Sequence, residues 1–111
     1  MSVYVSNIVV EQGYDFDTSF QLQDTRTNSP IILSSTTSEA MLRKHYGATS
    51  AVSFATTVTD AEEGILSISL NASQTRDLKP GRYVFDVKLT NDGNYFKAVE
   101  GVVLVRAGVT R

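Results

Sequence analysis

Apolar and polar residues alternate through most of this 111-residue chain, and this period of two constrains the fold more than any other feature. The alternation is clearest from Tyr83 to an Asn-Asp-Gly turn at residues 91–93, and apolar residues resume after that turn. Alternate side chains of a β-strand point to opposite faces. Asp-Gly between two such segments is a strong hairpin signal, because glycine readily adopts a positive φ. The sequence therefore predicts a β-hairpin near the C-terminus.

The rest of the chain also consists of short segments with strand character, separated by turn-forming residues. A polar stretch, Asp24–Pro30, predicts a loop. The predicted strands before the hairpin are Val3–Val10, Tyr14–Leu22, a short edge strand at Ile31–Leu33, Val52–Val58 and Leu66–Leu70. We expect the last two to be neighbours in a meander.

Two segments are less clear. Thr36–Gly47 has a helix-capping serine at its start and a glycine at its end, which favour a helix. Its neighbours are all strands, however, and its own apolar residues also fit alternation, so we interpret it as a strand while helix stays open. Ser73–Leu78 is compatible with one short helical turn begun by Ser73 and ended by Pro80-Gly81.

Together these patterns predict an all-β fold, an immunoglobulin-like β-sandwich of about seven to eight antiparallel strands. The length is that of a single domain, residues 1–111. The returning strand of the hairpin, Tyr95–Arg106, has apolar residues on both faces. This pattern indicates burial on both sides or a face covered by a partner.

Charge and composition exclude several classes of function. The net charge is -2 and the isoelectric point about 5.2, so a nucleic-acid partner is not expected. No stretch approaches the length of a membrane span, and the N-terminus lacks the pattern of a secretory signal, so neither membrane insertion nor secretion is expected. The absence of cysteine excludes disulfides and thiolate chemistry.

The candidate chemical groups are few and scattered. His45 is the single histidine, and Asp15 and Asp17 share one strand face, as paired carboxylates or half of a calcium site would. Outward positions of strands commonly carry such residues, so a solvated surface is the favoured interpretation. The remaining charged candidates are acidic turn residues and a small basic patch: Glu62, Glu63 and Asp92, and Arg43, Lys44 and Arg82. We predict no catalytic, cofactor or metal site.

Tyr83 has a structural interpretation. It follows a Leu-x-Pro-Gly-x-Tyr stretch that contains Leu78 and Gly81. This stretch resembles the tyrosine corner of Greek-key sandwiches, in which the hydroxyl bonds to nearby backbone. We expect these three residues to hold the entry to the hairpin.

Residues Val58–Arg111 read VTDAEEGILSISLNASQTRDLKPGRYVFDVKLTNDGNYFKAVEGVVLVRAGVTR. This stretch resembles small immunoglobulin-like structural proteins of tailed bacteriophages, of the kind found in cyanophages, and more distantly the N-terminal domains of upper baseplate proteins. Upstream, YDFDTSFQLQDT and MLRKHYGATSAVSF also resemble these proteins, so that the likeness spans nearly the whole chain.

The resemblance implies a non-enzymatic virion protein, made in the host cytoplasm, that assembles in the tail, neck or baseplate through symmetric contacts with its own copies and other virion proteins. Two alternatives stay open: a decoration protein of the phage head, and a receptor-binding adhesin that recognises a host-surface glycan or protein. Strand-forming residues at both chain ends, Val3–Val10 and Gly101–Thr110, are expected to contribute to the contacts. The candidate residues there are Val5, Ile8, Val10, Val103 and Val105.

Overall fold

A computed structural model describes residues 4–22, 33, 36–91 and 93–110. These residues form strands almost throughout, with one short helix, so the prediction of an all-β fold is confirmed. The strands are β1 (Tyr4–Val5), β2 (Ile8–Glu11), β3 (Phe16–Gln21), β4 (Thr37–Arg43), β5 (Val52–Asp60), β6 (Ile65–Leu70), β7 (Gly81–Asn91) and β8 (Asn94–Arg106), and helix α1 (Ala72–Arg76) lies between β6 and β7.

The strands pair in the order β1-β8-β7-β4-β5-β6-β3, and β2 also pairs with β8. Strand β5 joins the two halves of this path, because its first residues, Val52–Phe54, pair with β4 and its later residues, from Ala55 to Asp60, pair with β6. The predicted meander of β5 and β6 is confirmed. The two halves therefore share β5, and their buried residues form a single core.

The sheet is mixed rather than antiparallel throughout, which corrects the prediction. Strands β1 and β2 run parallel to β8, whereas the other described pairs are antiparallel. Parallel neighbours need a long connection, and here most of the chain separates the two partners. Alternation within a segment sets its faces but not the direction of a distant partner, so the sequence pattern alone could not reveal this pairing.

The core is one apolar cluster, to which every second residue of most strands contributes its side chain. Phe54, in the part of β5 that pairs with β4, connects the two halves through Phe16 of β3, with ring centroids 6.4 Å apart in a tilted arrangement. Phe54 also contacts Phe85 of β7 edge-to-face at 6.1 Å. Full burial of a large apolar side chain stabilises a fold by roughly 1.5–3 kcal/mol. The buried apolar residues are Ile8, Val10, Phe20, Leu22, Leu33, Ala40, Leu42, Phe54, Leu66, Ile68, Leu70, Leu78, Tyr83, Phe85, Val87, Leu89, Ala98, Val99, Val103 and Val105.

The predicted C-terminal hairpin is confirmed, since β7 and β8 pair from Gly81 and Val105 to Asn91 and Asn94. Gly93 has φ of +78°, the left-handed conformation that glycine tolerates best. The register shifts between Val87 and Lys88, so that β8 has an extra residue there. This bulge places Ala98 and Val99 in the core together and explains part of the two-sided apolar pattern of β8.

The segment Thr36–Gly47 forms strand β4 from Thr37 to Arg43, as interpreted, because pairing on both sides outweighs its local helix propensity. A turn follows, in which the Ala48 N–H donates to the His45 carbonyl oxygen at 3.0 Å. The short helix near Ser73 is present, but it starts earlier than predicted. Asn71 is its N-cap, and the Asn71 side chain and that of Gln74 form a reciprocal capping box.

The first and third predicted strands differ from expectation. Val3–Val10 is divided into β1 and β2 around Ser6 and Asn7, and Val3 lies outside the described residues. Asp24–Pro30, Ile31 and Ile32 also lie outside them. Leu33 is buried without belonging to a strand, and its N–H donates to the Ala61 carbonyl oxygen at 2.8 Å.

In the part of the chain that is described, no helix is long and apolar enough to span a membrane.

Candidate functional site

The paired aspartates do not form a carboxylate site. Asp15 Oδ1 accepts a 2.7 Å hydrogen bond from the Ala72 N–H at the start of α1, so this side chain joins the beginning of β3 to the helix. Asp17 is exposed on the outward face of β3. Among the described residues, no group of three histidine, cysteine or acidic side chains is placed to hold a metal ion. The geometry gives Asp15 a structural role.

The other charged candidates are also dispersed. His45 is exposed in the turn after β4, and Glu62 and Glu63 are exposed in the turn at residues 61–64. Asp92 lies outside the described residues.

The predicted basic patch is not an open cluster of cations. Arg43 Nη1 donates to the Ala48 carbonyl oxygen at 2.6 Å, and Lys44 Nζ lies 4.8 Å from the centre of the Tyr83 ring. Arg82 is exposed on the outward face of β7. Two of the three cations therefore have partners within the chain.

Tyr83 makes the hydrogen bond that defines a tyrosine corner. Its hydroxyl donates to the Lys79 carbonyl oxygen at 2.7 Å. Leu78 is buried, and Gly81 has φ of +144°, a conformation that residues with a side chain rarely adopt. The three residues lie together where the chain leaves α1 and enters β7.

The terminal residues expected to make contacts divide into two groups. Ile8, Val10, Val103 and Val105 are buried in the chain's own core, where β2 pairs with β8. Val5 is 71% exposed. Of this set, only Val5 presents its side chain to the surroundings, and the other four hold the N-terminal strand in place.

The outward face of β2, β8, β7 and β4 carries a band of apolar side chains that residue-by-residue reasoning missed. Val9 and Leu104 are cross-strand neighbours and are 49% and 43% exposed. The band, which we call the apolar stripe, consists of Val9, Leu104, Val102, Val84 and Met41. The signal in the sequence was the two-sided apolar pattern of β8. The bulge accounts for Ala98 and Val99, and the outward residues Val102 and Leu104 lie in this stripe.

Charged residues of both signs border the apolar stripe. The ion pairs are Lys88–Glu39 at 3.1 Å, Lys97–Asp86 at 3.8 Å and Arg106–Glu11 at 3.5 Å. All are largely solvent-exposed, and such pairs contribute little stability. Beside Met41 and Val84, the exposed Tyr46 forms one wall of a hollow of about 310 Å³.

The outward face of the other half is chemically different. Strands β5, β6 and β3 present mainly small hydroxyl-bearing and polar side chains there: Ser53, Ala55, Thr57, Thr59, Ser67, Ser69, Asp17, Ser19 and Gln21. Exposed β-branched and large apolar residues on one face, against serine and threonine on the other, give the molecule two unlike surfaces. Contiguous exposed apolar residues mark interaction surfaces more often than scattered ones do.

Strand β2 lies at an edge of the sheet, next to the apolar stripe. The Ser6 N–H donates to the Glu100 carbonyl oxygen and the Gln12 N–H to that of Arg106, both at 2.9 Å. The backbone N–H and C=O groups of successive strand residues point to opposite sides of the strand. Those of Ile8 and Val10 therefore also point toward β8, and those of Val9 point away from it. No described residue hydrogen-bonds to the Val9 N–H or C=O. With respect to the described residues, the edge is open at Val9.

Comparisons with solved structures report on the fold alone. The chain is similar to part of the crystal structure of InlP from Listeria monocytogenes, with 16% identity and a TM-score of 0.50 over 91% of this chain and 26% of that one. A family 123 glycoside hydrolase from Clostridium perfringens gives 14% identity and a TM-score of 0.45 over 100% of this chain and 24% of that one. The chain thus spans about a quarter of each.

No family model matches the chain. A search of curated proteins gives no match either.

Proposed function

We propose that this protein is a non-enzymatic structural protein of a tailed-bacteriophage virion, and that it acts in the tail, neck or baseplate through protein–protein contacts. The observation that carries the contact role is the apolar stripe beside an open sheet edge, both on the same side of the molecule. The assignment to a virion rests on the sequence resemblance over Val58–Arg111. The structural neighbours do not bear on it.

We also propose that the fold is an immunoglobulin-like sandwich. Three features support this assignment: the separation of the strand path into two halves at β5, the ring contact between Phe16 of β3 and Phe54 in the part of β5 that pairs with β4, and the tyrosine corner at Tyr83. The parallel pairing of β2 with β8 gives the module an N-terminal edge strand beside its C-terminal strand.

The contact role explains why Val9, Met41 and Leu104 are exposed together on one outward face of the sheet. Apolar surface that becomes buried in an interface contributes about 25 cal/mol per Å² removed from water. The mixed ion pairs at the border of the apolar stripe stay hydrated at the rim of such an interface, which is the usual arrangement of core and rim. The opposite face, with its serine and threonine side chains, needs no partner.

The location is tested on purified particles of the phage that encodes the chain. Heads and tails are separated and analysed by quantitative mass spectrometry, and intact particles are labelled with an antibody raised against the purified protein. We expect the protein in the tail fraction, in a copy number that is a multiple of the tail symmetry. Hundreds of copies on heads would instead support a decoration protein. Absence from particles would overturn the virion assignment.

A further inference from the structure

We propose that the open edge of β2 pairs with the same edge of a second copy, in antiparallel orientation, with Val9 opposite Val9 of that copy. The inference rests on the proposed role in assembly and adds to it the identity of one partner. An open strand edge presents a row of unpaired N–H and C=O groups, and the surface that matches this row is another strand edge. The backbone groups of Val9, which have no partner among the described residues, are such a site.

The sequence of this edge leaves it open to pairing. Natural proteins protect free edges with lysine, proline, bulges or inward-pointing charges. From Tyr4 to Gln12 the chain reads YVSNIVVEQ, which contains neither lysine nor proline and only a single charged residue, Glu11. Val5 and Val9 are exposed along it. A β-branched, weakly charged edge of this kind favours pairing with another strand.

Charge and hydrogen bonding select the register. A two-fold axis at Glu11 would place two glutamates opposite each other, and like charges in that position are destabilising. The Glu11 carbonyl oxygen already accepts the Tyr14 N–H at 3.2 Å. An axis at Glu11 places this engaged group at the centre of the pairing, whereas an axis at Val9 places it at the two ends and leaves the central Val9 pair able to exchange both hydrogen bonds. A two-fold axis at Val9 places Glu11 opposite Asn7 of the second copy and brings no like charges together.

An axis at Asn7 is less favourable for a different reason. The Asn7 side chain accepts a hydrogen bond from the Val102 N–H at 3.2 Å, and the ladder to β8 is interrupted between β1 and β2 at this point. Ile8–Glu11 is the uninterrupted part of the edge, and Val9 is the residue within it whose backbone groups face outward without a described partner.

Pairing at Val9 also extends the apolar stripe. Val9 and Leu104 lie side by side on the outward face of the sheet. A two-fold axis at Val9 brings the stripes of both copies together in one continuous sheet, because directly opposed Cα atoms in a hydrogen-bonded antiparallel pair are about 5.5 Å apart. The dimer then presents one larger apolar surface to other virion proteins.

A single introduced cysteine tests the register. The chain contains no cysteine, so Val9→Cys creates one unique thiol. Cα atoms about 5.5 Å apart are within the range that a disulfide spans. Under mild oxidation of a dilute sample we expect Val9→Cys to form a covalent dimer of twice 12.1 kDa on a non-reducing gel. Thr57→Cys, exposed on the opposite face, is the matched control and is expected to stay monomeric.

The non-covalent dimer is tested by sedimentation of the unmodified chain and two variants. Val9→Pro removes the outward N–H, which has no partner within the described chain, and Val9→Thr keeps that N–H and the branched side chain. We expect the wild-type chain and Val9→Thr to dimerise, and Val9→Pro to raise the dissociation constant at least about tenfold, a change of about 1.4 kcal/mol. Val9→Lys, which leaves the backbone intact, gives the same test if the proline variant does not fold.

A wild-type chain that stays monomeric, together with equal cross-linking of the Val9→Cys and Thr57→Cys variants, would overturn the proposed pairing. This result is distinct from a failure of the proposed function, which the composition of purified virions decides. If the purified chain dimerises but is absent from virions, the proposed pairing stands and the proposed virion role is overturned.

Discussion

Gly101 shows how a single residue determines the fit of the N-terminal strand. A side chain at this position would collide with the Ser6 carbonyl group and come within 3.1 Å of the Phe85 ring. The close approach lets Ser6 and Asn7 pass over β8, where the Asn7 side chain accepts a hydrogen bond from the Val102 N–H. Glycine is needed here for space.

We therefore expect Gly101→Ala to destabilise the fold by roughly 1–3 kcal/mol, because the added methyl group meets backbone that cannot move without disturbing β1 and β2. Urea unfolding of the purified variant measures this change. The control is Gly47→Ala, whose new methyl group would meet only the His45 ring at 3.7 Å, and which should change stability by less than about 0.5 kcal/mol. Equal stability of the two variants would refute the assigned role of Gly101.

The sequence predicted the partner of one candidate residue, Tyr83, but not that of another, Asp15. Tyr83 makes the backbone hydrogen bond that the Leu-x-Pro-Gly-x-Tyr stretch indicates. Asp15 is held by the Ala72 N–H, a partner 57 positions away in sequence. No local pattern could reveal that partner, because the helix start and β3 become neighbours only in the folded chain.

At the scale of elements, strand existence was more predictable than strand direction or boundaries. Alternation located β5, β6 and β7 because each buries one face against the core. It could not show that β1 and β2 run parallel to β8, since that choice depends on distant parts of the chain. The bulge near Ala98 was also hidden, because an extra residue changes which face is buried without changing the apolar content.

The sequence prediction assigned the wrong residue to the N-cap of α1. Ser73 was expected to begin the helical turn, but Asn71 accepts the Gln74 N–H at 2.9 Å, and Gln74 Oε1 accepts the Asn71 N–H at 3.0 Å. We expect Asn71→Ala to lower the free energy of unfolding by about 0.5–2 kcal/mol, whereas Ser73→Ala should be nearly neutral. Thermal unfolding of both variants checks this. A larger loss for Ser73→Ala than for Asn71→Ala would contradict the observed cap.

At the scale of the whole molecule, the two outward faces differ in what they can bind. The apolar stripe and the open edge of β2 lie on one side, and serine and threonine side chains cover the outward face of β3, β5 and β6. The sequence indicated a covered face through the two-sided pattern of β8. It could not assign Met41 and Val84 to the same surface as Leu104, because these residues become neighbours only through the pairing of β4, β7 and β8.

The central claim is that the protein works through the side of the molecule that carries the apolar stripe. Its most direct test is particle assembly by phages carrying Leu104→Lys or, as the matched control on the opposite face, Thr57→Lys. Both positions are exposed, so urea unfolding of the purified variants should stay within about 0.5 kcal/mol of wild type. We expect Leu104→Lys to lower the yield of infectious particles at least about tenfold, as burial of a charge in an interface implies, and Thr57→Lys to leave it unchanged. A wild-type yield for Leu104→Lys, or an equal defect in both variants, would contradict the claim.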